Sequence, residues 1–359
     1  MKRISLAVTT DLNHDQRMQR IALSLQQAGY QVSLIGRVKK SSRPLPVTAY
    51  RSRRLRTLFE QGFLFYAFYN IRLFIFLLYR RSDAICAVDL DTLPASWLAA
   101  RLKGNTLFYD AHEIFTEVPE LQLNSRVRRF WEKLEAFLLP KVDFAYTVNQ
   151  SLADWYGSKY GLQFAVVRNM PQSSPPVDAI NGNYMLYQGA LNAGRGIECL
   201  LEVVKITGIP CVLAGDGDLS QQLRAKASAL GLDKLVKFTG MLKPDELHEY
   251  TQQCWLGINL LEASSANYYY SLANKFFDYV QAGKPQISMA FPEYLRLQAD
   301  YEVALLIEKL DADQIAVRIN QLKADQNRYL YYVANCREAA LHWIWELEEH
   351  KLLEVYAKL

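Results

Sequence analysis

At 359 residues the chain is longer than most single domains, so two domains of ordinary size are expected. Half of its residues are hydrophobic and 22% are charged, which suits a globular protein. Its five cysteines stand far apart, with no Cys-x-x-Cys pair, which argues against a zinc site or a disulfide framework and favours a reducing compartment. These cysteines are Cys86, Cys199, Cys211, Cys254 and Cys336.

The net charge of +4 is unevenly distributed along the chain. Residues 37–81 contain eleven Lys or Arg residues and a single acidic residue, Glu60, so the remainder is mildly acidic. A basic segment of this kind suggests a specific anionic partner surface, and no nucleic acid is expected. The arginines assigned to that surface are Arg51, Arg53, Arg54, Arg56, Arg80 and Arg81.

The first 36 residues are predicted to form a strand, a helix and a second strand. Ile4–Val8 is too short for the apolar core of a secretory signal and is better explained as a buried strand. Arg17–Ala28 is amphipathic, and Tyr30–Ile35 follows as a strand, which implies a parallel pair with a right-handed crossover. A Gly-x-Gly-x-x-Gly sequence is absent at the first turn, so the dinucleotide-binding fingerprint is missing.

The basic segment leads into an apolar and aromatic run, Phe59–Tyr79. Asn70 and Arg72 near its middle make it a poor membrane-spanning helix. One interpretation is a core helix with a solvated arginine fringe. The other is an interfacial patch that docks on anionic lipid. The two interpretations are compatible, because one face can pack while the basic flank contacts headgroups.

Two further strands are predicted to end in polar residues. Asp83–Val88 precedes Asp89-Leu-Asp-Thr-Leu-Pro94, and Thr106–Tyr109 precedes Asp110-Ala-His-Glu113. Ligands of open α/β sheets bind beyond the carboxyl ends of the strands. His112, between two carboxylates at such an end, is therefore interpreted as functional rather than structural.

The second half is expected to begin after a proline-rich linker, residues 170–183. Tyr184–Gln188 is predicted as a strand, and Gly189–Gly196 as the loop that precedes the helix Ile197–Thr207. Two glycines flanking Arg195 would let the backbone approach a ligand while the guanidinium binds an oxyanion. The alternative is a plain glycine turn with an exposed arginine.

The most informative stretch runs from Tyr268 to Pro285. Ser271 is predicted to be the N-cap of a helix that ends at Gly283. Lys275 in the first turn would add positive charge to a helix N-terminus that already favours phosphate. Asp278, one turn later, could accept hydrogen bonds from sugar hydroxyls, so the stretch fits a nucleotide diphosphate. The alternative is a capped amphipathic helix whose Lys and Asp are solvated.

The run Asn274-Lys-Phe-Phe-Asp-Tyr-Val-Gln-Ala-Gly-Lys-Pro285 resembles the donor-site helix of GT-B glycosyltransferases of the retaining family-four type, glycosyl transferases group 1. The runs Asp15-Gln-Arg17, Asp89–Pro94 and Asp110–Glu113 resemble the N-terminal half of the same family. The resemblance implies an α/β, GT-B fold with two facing Rossmann-like doubly wound domains and an interdomain cleft. The domains would be 1–169 and 184–340, and the terminal segment 341–359, within a long helix Arg328–Leu359, would cross back to the first domain.

The resemblance also assigns roles to residues. Arg195 and Lys275 would neutralise the donor diphosphate, Asp278 would hold the ribose, and His112 would face the transferred sugar. Two positions depart from the family: Tyr270 stands where an acidic residue is usual, and Ala190 where a second basic residue is frequent. The donor-binding set is Gly189, Gly194, Gly196, Gly215, Gly240, Met241, Ser271, Leu272, Asn274 and Asp278. The acceptor-side set is Asp15, Arg17, Asp89, Asp110 and Glu113.

The function expected is therefore a retaining, metal-independent transfer of a sugar from a nucleotide-diphosphate donor to a cell-envelope glycan or lipid-linked acceptor. Asp89-Leu-Asp91 matches a D-x-D metal motif by pattern, but it lies where the family has an acceptor-side loop, so no metal and no separate cofactor are expected. A cytoplasmic location, peripheral on the inner face of the membrane, would suit such an acceptor. Two alternatives stay open: a sugar-nucleotide epimerase on the same scaffold, and a catalytically silent nucleotide-sugar-binding protein, suggested by Tyr270 and Ala190.

Overall fold

The computed structural model describes residues 1–13, 15–40, 42–122, 124–174 and 182–359. The chain divides into two units, the first formed by Met1–Asn169 with Glu348–Leu359, and the second by Met170–Leu347. Half of the predicted linker, residues 175–181, lies outside the described residues.

The first unit contains a seven-stranded parallel sheet in the order β3-β2-β1-β4-β5-β6-β7. Its strands are β1 (Arg3–Ala7), β2 (Gln31–Val38), β3 (Arg51–Arg56), β4 (Ala84–Val88), β5 (Thr106–Ala111), β6 (Phe144–Thr147) and β7 (Phe164–Val166). Its helices are α1 (Gln16–Gln27), α2 (Gly62–Tyr79), α3 (Leu93–Lys103), α4 (Pro119–Gln122), α5 (Ser125–Leu138) and α6 (Gln150–Tyr160). The central strand β4 is apolar throughout and all five of its residues are buried, because helices cover both faces of a parallel sheet.

The second unit contains a six-stranded parallel sheet in the order β10-β9-β8-β11-β12-β13. Its strands are β8 (Met185–Gln188), β9 (Cys211–Ala214), β10 (Val236–Gly240), β11 (Leu256–Asn259), β12 (Gln286–Met289) and β13 (Ala304–Ile307). Its helices are α7 (Ile197–Thr207), α8 (Ser220–Ala229), α9 (Pro244–Gln253), α10 (Ala266–Tyr269), α11 (Asn274–Gln281), α12 (Pro292–Asp300), α13 (Ala312–Ala324) and α14 (Gln326–His342). Both units are doubly wound and Rossmann-like, so the predicted fold class is confirmed.

The C-terminal helix prediction was wrong in one respect. Instead of one helix over Arg328–Leu359, the chain forms α14 and a separate helix α15 (Trp345–Tyr356), with a break at Trp343 and Ile344. The Trp343 ring packs against Phe276 in the second unit, with ring centroids 6.0 Å apart. Tyr356 at the end of α15 stacks on Phe108 of the first unit, with centroids 4.4 Å apart. The break therefore separates packing surfaces that belong to different units.

Strand β3 was not predicted, because a segment rich in arginine lacks the apolar alternation of a strand. It pairs in parallel with β2 at the edge of the sheet, where charged side chains are well tolerated. Leu55 is its single buried residue, and it packs in the same core as α2.

Helix α2 is, among the described residues, the one helix long and apolar enough to cross a membrane by length and composition. One face packs on the first unit, where Phe65, Tyr69, Leu73 and Leu77 are buried. The Tyr69 hydroxyl also donates a hydrogen bond to the carbonyl of Val8, so this face of the helix is part of the unit's core.

Candidate functional site

The loop after β8 carries Arg195 between two glycines in the left-handed region. Gly194 has φ of +77° and Gly196 has φ of +66°. A Cβ added to Gly194 would lie 2.7 Å from Cε2 of Tyr268, and one added to Gly196 would lie 2.8 Å from Cβ of Leu260. Both glycines are thus required by close packing within the chain, and the approach of this loop to a ligand stays a prediction.

Arg195 is held over an aromatic ring and has no acidic partner among the residues that the structure describes. Its guanidinium carbon lies 5.0 Å from the ring centroid of Tyr268, a cation–π arrangement. The Arg195 Nε is buried and has no hydrogen-bond partner in the described chain. A guanidinium held in this way retains donors for an anion.

Helix α11 begins two residues later than predicted, at Asn274, with Ala273 as the N-cap. Ser271 does not cap it, because the preceding helix α10 engages this residue: the Ser271 hydroxyl donates to the Tyr268 carbonyl at 2.8 Å. The first turn of α11 has no side-chain cap and no acidic residue. Its N-terminus therefore keeps the partial positive charge that favours an anion, and Lys275 still lies in the first turn.

Lys275 lies against Tyr187, the penultimate residue of β8. Its ammonium is 3.8 Å from the Tyr187 ring centroid. Burial and then the Arg195 charge together lower the pKa of Lys275 to about 7, with Asp278 opposing both. Neither Lys275 nor Arg195 forms an ion pair with the residues that the structure describes. The positive charges of the two residues repel each other, and a bound polyanion would neutralise both.

Asp278 is oriented by a short hydrogen-bond relay. Gln188 Nε2 donates to Asp278 Oδ2 at 2.7 Å, and the Thr251 hydroxyl on α9 donates to Gln188 Oε1 at 3.0 Å. Gln188 and Tyr187 were not predicted from the sequence. One signal was present: Gln188 is a polar residue at the carboxyl end of an otherwise apolar strand, and parallel sheets bind ligands beyond that end.

The other donor-side residues border the same strand ends. A Cβ on Gly215 would lie 1.9 Å from the Gly189 carbonyl oxygen, so the loops after β8 and β9 touch. Gly215 also forms a bridge to Gly240, which has φ of +71° and is followed by the exposed Met241. Leu272 is partly buried, and Asn274 is exposed at the start of α11.

The departures from the family pattern also have structural roles. The carbonyl of Ala190 accepts a hydrogen bond of 2.8 Å from the Tyr187 hydroxyl, which fixes the ring beneath Lys275. Tyr270 is the C-cap of α10, and its backbone N–H donates to the Ala266 carbonyl.

In the first unit the carboxyl ends of β4 and β5 bring His112 between two carboxylates. Asp89 follows β4 and has φ of +55°, the one positive φ among the non-glycine residues described. Its Oδ1 accepts a 2.8 Å hydrogen bond from the backbone N–H of His112. The ring Nε2 of His112 lies 3.0 Å from Asp110 Oδ2, and its Nδ1 lies 3.6 Å from Asp89 Oδ2.

The charge of His112 follows from these neighbours. Burial alone would lower the pKa of His112, but Asp110 and then Asp89 raise it to about 9. The two carboxylates therefore favour the imidazolium near neutral pH, and the charge of Arg17, whose Nε lies 3.1 Å from His112 Nε2, opposes it. Burial raises the pKa of Asp89 to about 8, opposed by the charge of His112.

Three residues expected to face an acceptor are instead committed to the fold. Arg17 is buried, donates to the Val167 carbonyl at 3.0 Å, and pairs with the buried Asp110 at 3.1 Å. Asp15 is the N-cap of α1 and accepts a hydrogen bond from the Met18 N–H at 3.1 Å. Arg17 and Asp110 therefore position His112, and Asp15 positions α1.

The neighbouring carboxylates are placed differently. Glu113 is partly buried, and its carbonyl accepts a 3.0 Å hydrogen bond from Tyr156. Asp91 is buried, its Oδ2 accepts a 2.6 Å hydrogen bond from Thr9, and burial raises its pKa to about 7. The Asp91 side chain thus lies inside the first unit, where it is hydrogen-bonded to Thr9.

The predicted six-arginine surface is only partly exposed. Arg54 turns inward and pairs with Asp11 at 3.0 Å, and Arg80 donates to the Ser33 hydroxyl at 2.9 Å. Arg51, Arg53, Arg56 and Arg81 are exposed.

The fold defines the class of protein. The structure of sucrose-phosphate synthase from Thermosynechococcus elongatus covers 100% of this chain and 99% of its own, with a TM-score of 0.82 and 15% identity. Anabaena HepE, solved with UDP and glucose, covers both chains completely with a TM-score of 0.76 and 15% identity. The chain has the GT-B fold of glycosyltransferases.

The sequence comparisons concern mainly the second unit. Residues 175–340 match the family model for glycosyl transferases group 1, and the resemblance seen in the sequence is confirmed. A curated relative, O-antigen chain mannosyltransferase C of Escherichia coli, is 25% identical over 157 residues. That match spans 40% of this chain and 42% of the relative, so it covers less than half of either protein.

Proposed function

We propose that the protein transfers a sugar from a nucleotide-diphosphate donor to an acceptor hydroxyl, with retention of anomeric configuration and without a metal ion. One observation carries this proposal: Arg195 and Lys275 are unpaired with carboxylates in the described chain and stand beside the uncapped N-terminus of α11. Asp278, one turn along, supplies the acceptor for ribose hydroxyls. This combination of charges matches a nucleotide diphosphate.

The diphosphate-binding residues also supply the main catalytic contribution. Negative charge grows on the leaving diphosphate as the bond from the sugar C1 to the phosphate oxygen breaks. Groups that are held in place before the reaction stabilise this charge without reorganisation. Two basic side chains and a helix N-terminus would neutralise the diphosphate in place of a divalent cation.

His112 has a separate role in the proposed reaction. Its Nε2 lies next to Asp110 and Arg17, so the Nδ1–H, which is 3.6 Å from Asp89 and beyond hydrogen-bond distance of it, would donate a hydrogen bond to the transferred sugar. In a front-face substitution the acceptor oxygen bonds to C1 on the side from which the diphosphate leaves. The acceptor proton passes to the leaving phosphate oxygen, so no covalent enzyme intermediate is required.

The relatives suggest the classes of donor and acceptor. HepE was solved with UDP and glucose, and the curated relative is an O-antigen chain mannosyltransferase. We infer a hexose donor and a cell-envelope glycan or lipid-linked acceptor, used on the cytoplasmic face of the membrane.

The test is a donor screen with UDP-, GDP- and dTDP-sugars, followed by product analysis with glycan and lipid-linked acceptors. We expect transfer that persists in EDTA and gives a product with the donor's anomeric configuration by NMR. An inverted product would contradict retention. A new sugar nucleotide formed from the donor alone would indicate an epimerase, and binding without turnover would indicate a silent binding protein.

A further inference from the structure

A basic pocket of about 500 Å³ lies in the first unit, at the amino ends of β1 and β2. His112 stands at the carboxyl ends of the same sheet, so the pocket is separate from the candidate site. Four arginines line it, together with Ser33 and Tyr79; the arginines are Arg3, Arg51, Arg80 and Arg81.

The charges of this four-arginine pocket are only partly satisfied by the protein. Arg3 pairs with Asp83 at 2.7 Å, and Arg80 donates to the neutral Ser33 hydroxyl. Arg51 and Arg81 are exposed and form no ion pair in the described part of the chain. Asp83 is thus the one carboxylate paired with the four guanidiniums, and an anionic ligand would complete the pocket.

An apolar helix face leads to the rim of this pocket. On α2, the exposed residues Leu64, Ile71, Ile75 and Tyr79 recur every four or seven positions and so share one face. Ile71 is 58% exposed, and Tyr79, which lines the pocket, is 84% exposed. Arg72 is the single charged residue of the helix. The opposite face is buried in the unit, so the helix can lie along a surface while it stays packed.

We propose that the four-arginine pocket binds the phosphate of an anionic membrane lipid headgroup while the exposed face of α2 contacts the acyl region. Charge complementarity selects the headgroup, and the contiguous apolar face selects a lipid over a soluble phosphate, which would leave that face in water. The proposal differs from the sequence prediction, because Arg3 joins the pocket and Arg53, Arg54 and Arg56 do not line it. It is independent of the glycosyltransferase proposal.

The test is cosedimentation of the full chain with phosphatidylcholine vesicles that contain or lack phosphatidylglycerol. We expect binding only to the anionic vesicles. The double variant Arg51→Gln/Arg81→Gln should bind ~30-fold more weakly, because each basic residue near an anionic surface contributes a roughly constant amount of binding free energy. The matched control Arg318→Gln/Lys323→Gln removes the same charge from exposed positions on α13 and should bind as the parent does.

A second variant, Ile71→Ser/Ile75→Ser, tests the helix face. We expect its vesicle binding to be weakened at low and at high salt, because an apolar contact is not screened. Thermal unfolding of each variant should match the parent, since the changed side chains are exposed. Parent-like vesicle binding by the arginine variant would overturn the proposal.

Two competing occupants give different results. If glycerol phosphate binds the pocket and the parent does not sediment with vesicles, the site takes a soluble anion and the lipid proposal is wrong. If the parent is a dimer that Ile71→Ser/Ile75→Ser dissociates, and vesicle binding is absent, a second copy covers the helix face and the proposal is again overturned. Donor binding is measured in parallel, so loss of vesicle binding alone leaves the proposed activity unaffected.

Discussion

The ammonium of Lys275 lies 3.8 Å from the ring centroid of Tyr187, with no ion pair in the described chain. Tyr187 is in turn anchored by its hydroxyl, which donates to the Ala190 carbonyl at 2.8 Å. The end of β8 therefore fixes the Tyr187 ring, and this ring holds the Lys275 ammonium near Arg195. This arrangement places two cations side by side, as the proposed diphosphate site requires.

Donor binding should depend on pH through Lys275. Burial lowers its pKa to about 7, with Arg195 contributing, and a bound diphosphate would raise the pKa again. Affinity should be constant below pH 7 and fall by about tenfold per pH unit above it, up to the pKa of the complex. Calorimetry in buffers of different ionisation enthalpy should show proton uptake on binding near pH 8. Lys275→Met should abolish that uptake, and a parent-like uptake in this variant would assign the proton to another group.

Arg195→Ala and Lys275→Ala should each reduce turnover by ~10²-fold or more, because each removes a charge that stabilises the leaving diphosphate. Steady-state kinetics with the best donor measures the effect. Arg318→Ala, at an exposed position on α13, is the control and should retain parent activity. Near-normal turnover in both site variants would remove the proposed diphosphate site.

Asp278→Asn should weaken binding of a nucleotide diphosphate by ~10-fold, as expected for loss of a charged hydrogen-bond acceptor. Gln188 donates to Asp278 at 2.7 Å, so Gln188→Ala should produce a smaller loss in the same direction. Binding of inorganic diphosphate should be almost unchanged in both variants, because it has no ribose. Equal losses for the two ligands would show that Asp278 shapes the phosphate site instead.

His112 should make the stability of the first unit pH-dependent. Asp110 and Asp89 raise the pKa of His112 from 6.5 to about 9 against the effect of burial. The protonated ring therefore contributes stability that is full below pH 6.5 and is lost as pH rises through 9, on the order of 3 kcal/mol. Urea unfolding of the parent and of His112→Gln across this window measures it. A stability difference between the two proteins that is independent of pH would contradict the assignment of an imidazolium.

Much of the fold followed from local patterns in the sequence. Each half alternates apolar strands with amphipathic helices, and this alternation defines two parallel sheets without reference to distant contacts. Arg195, Lys275 and Asp278 were identified because each follows a strand end or opens a helix. The same logic placed His112 beyond β5, where a parallel sheet binds ligands.

The errors arose where distant segments decide the outcome. Ser271 has the residue type of an N-cap, but the preceding helix α10 takes its hydroxyl, so α11 starts at Asn274. Arg54 was expected to face solvent, but it forms an ion pair of 3.0 Å with Asp11, which is distant in the sequence. Tyr187 and Gln188 have no sequence signature of a site, since their roles depend on where α11 packs.

If Arg195 and Lys275 bind one diphosphate together, calorimetric titration with the free nucleotide diphosphate of the preferred donor will show it. We expect each single substitution to weaken binding and the double variant Arg195→Ala/Lys275→Ala to bind too weakly to detect, while unfolding at the parent's temperature. A double variant that binds the nucleotide diphosphate with the parent's affinity would show that these two residues do not form the diphosphate site.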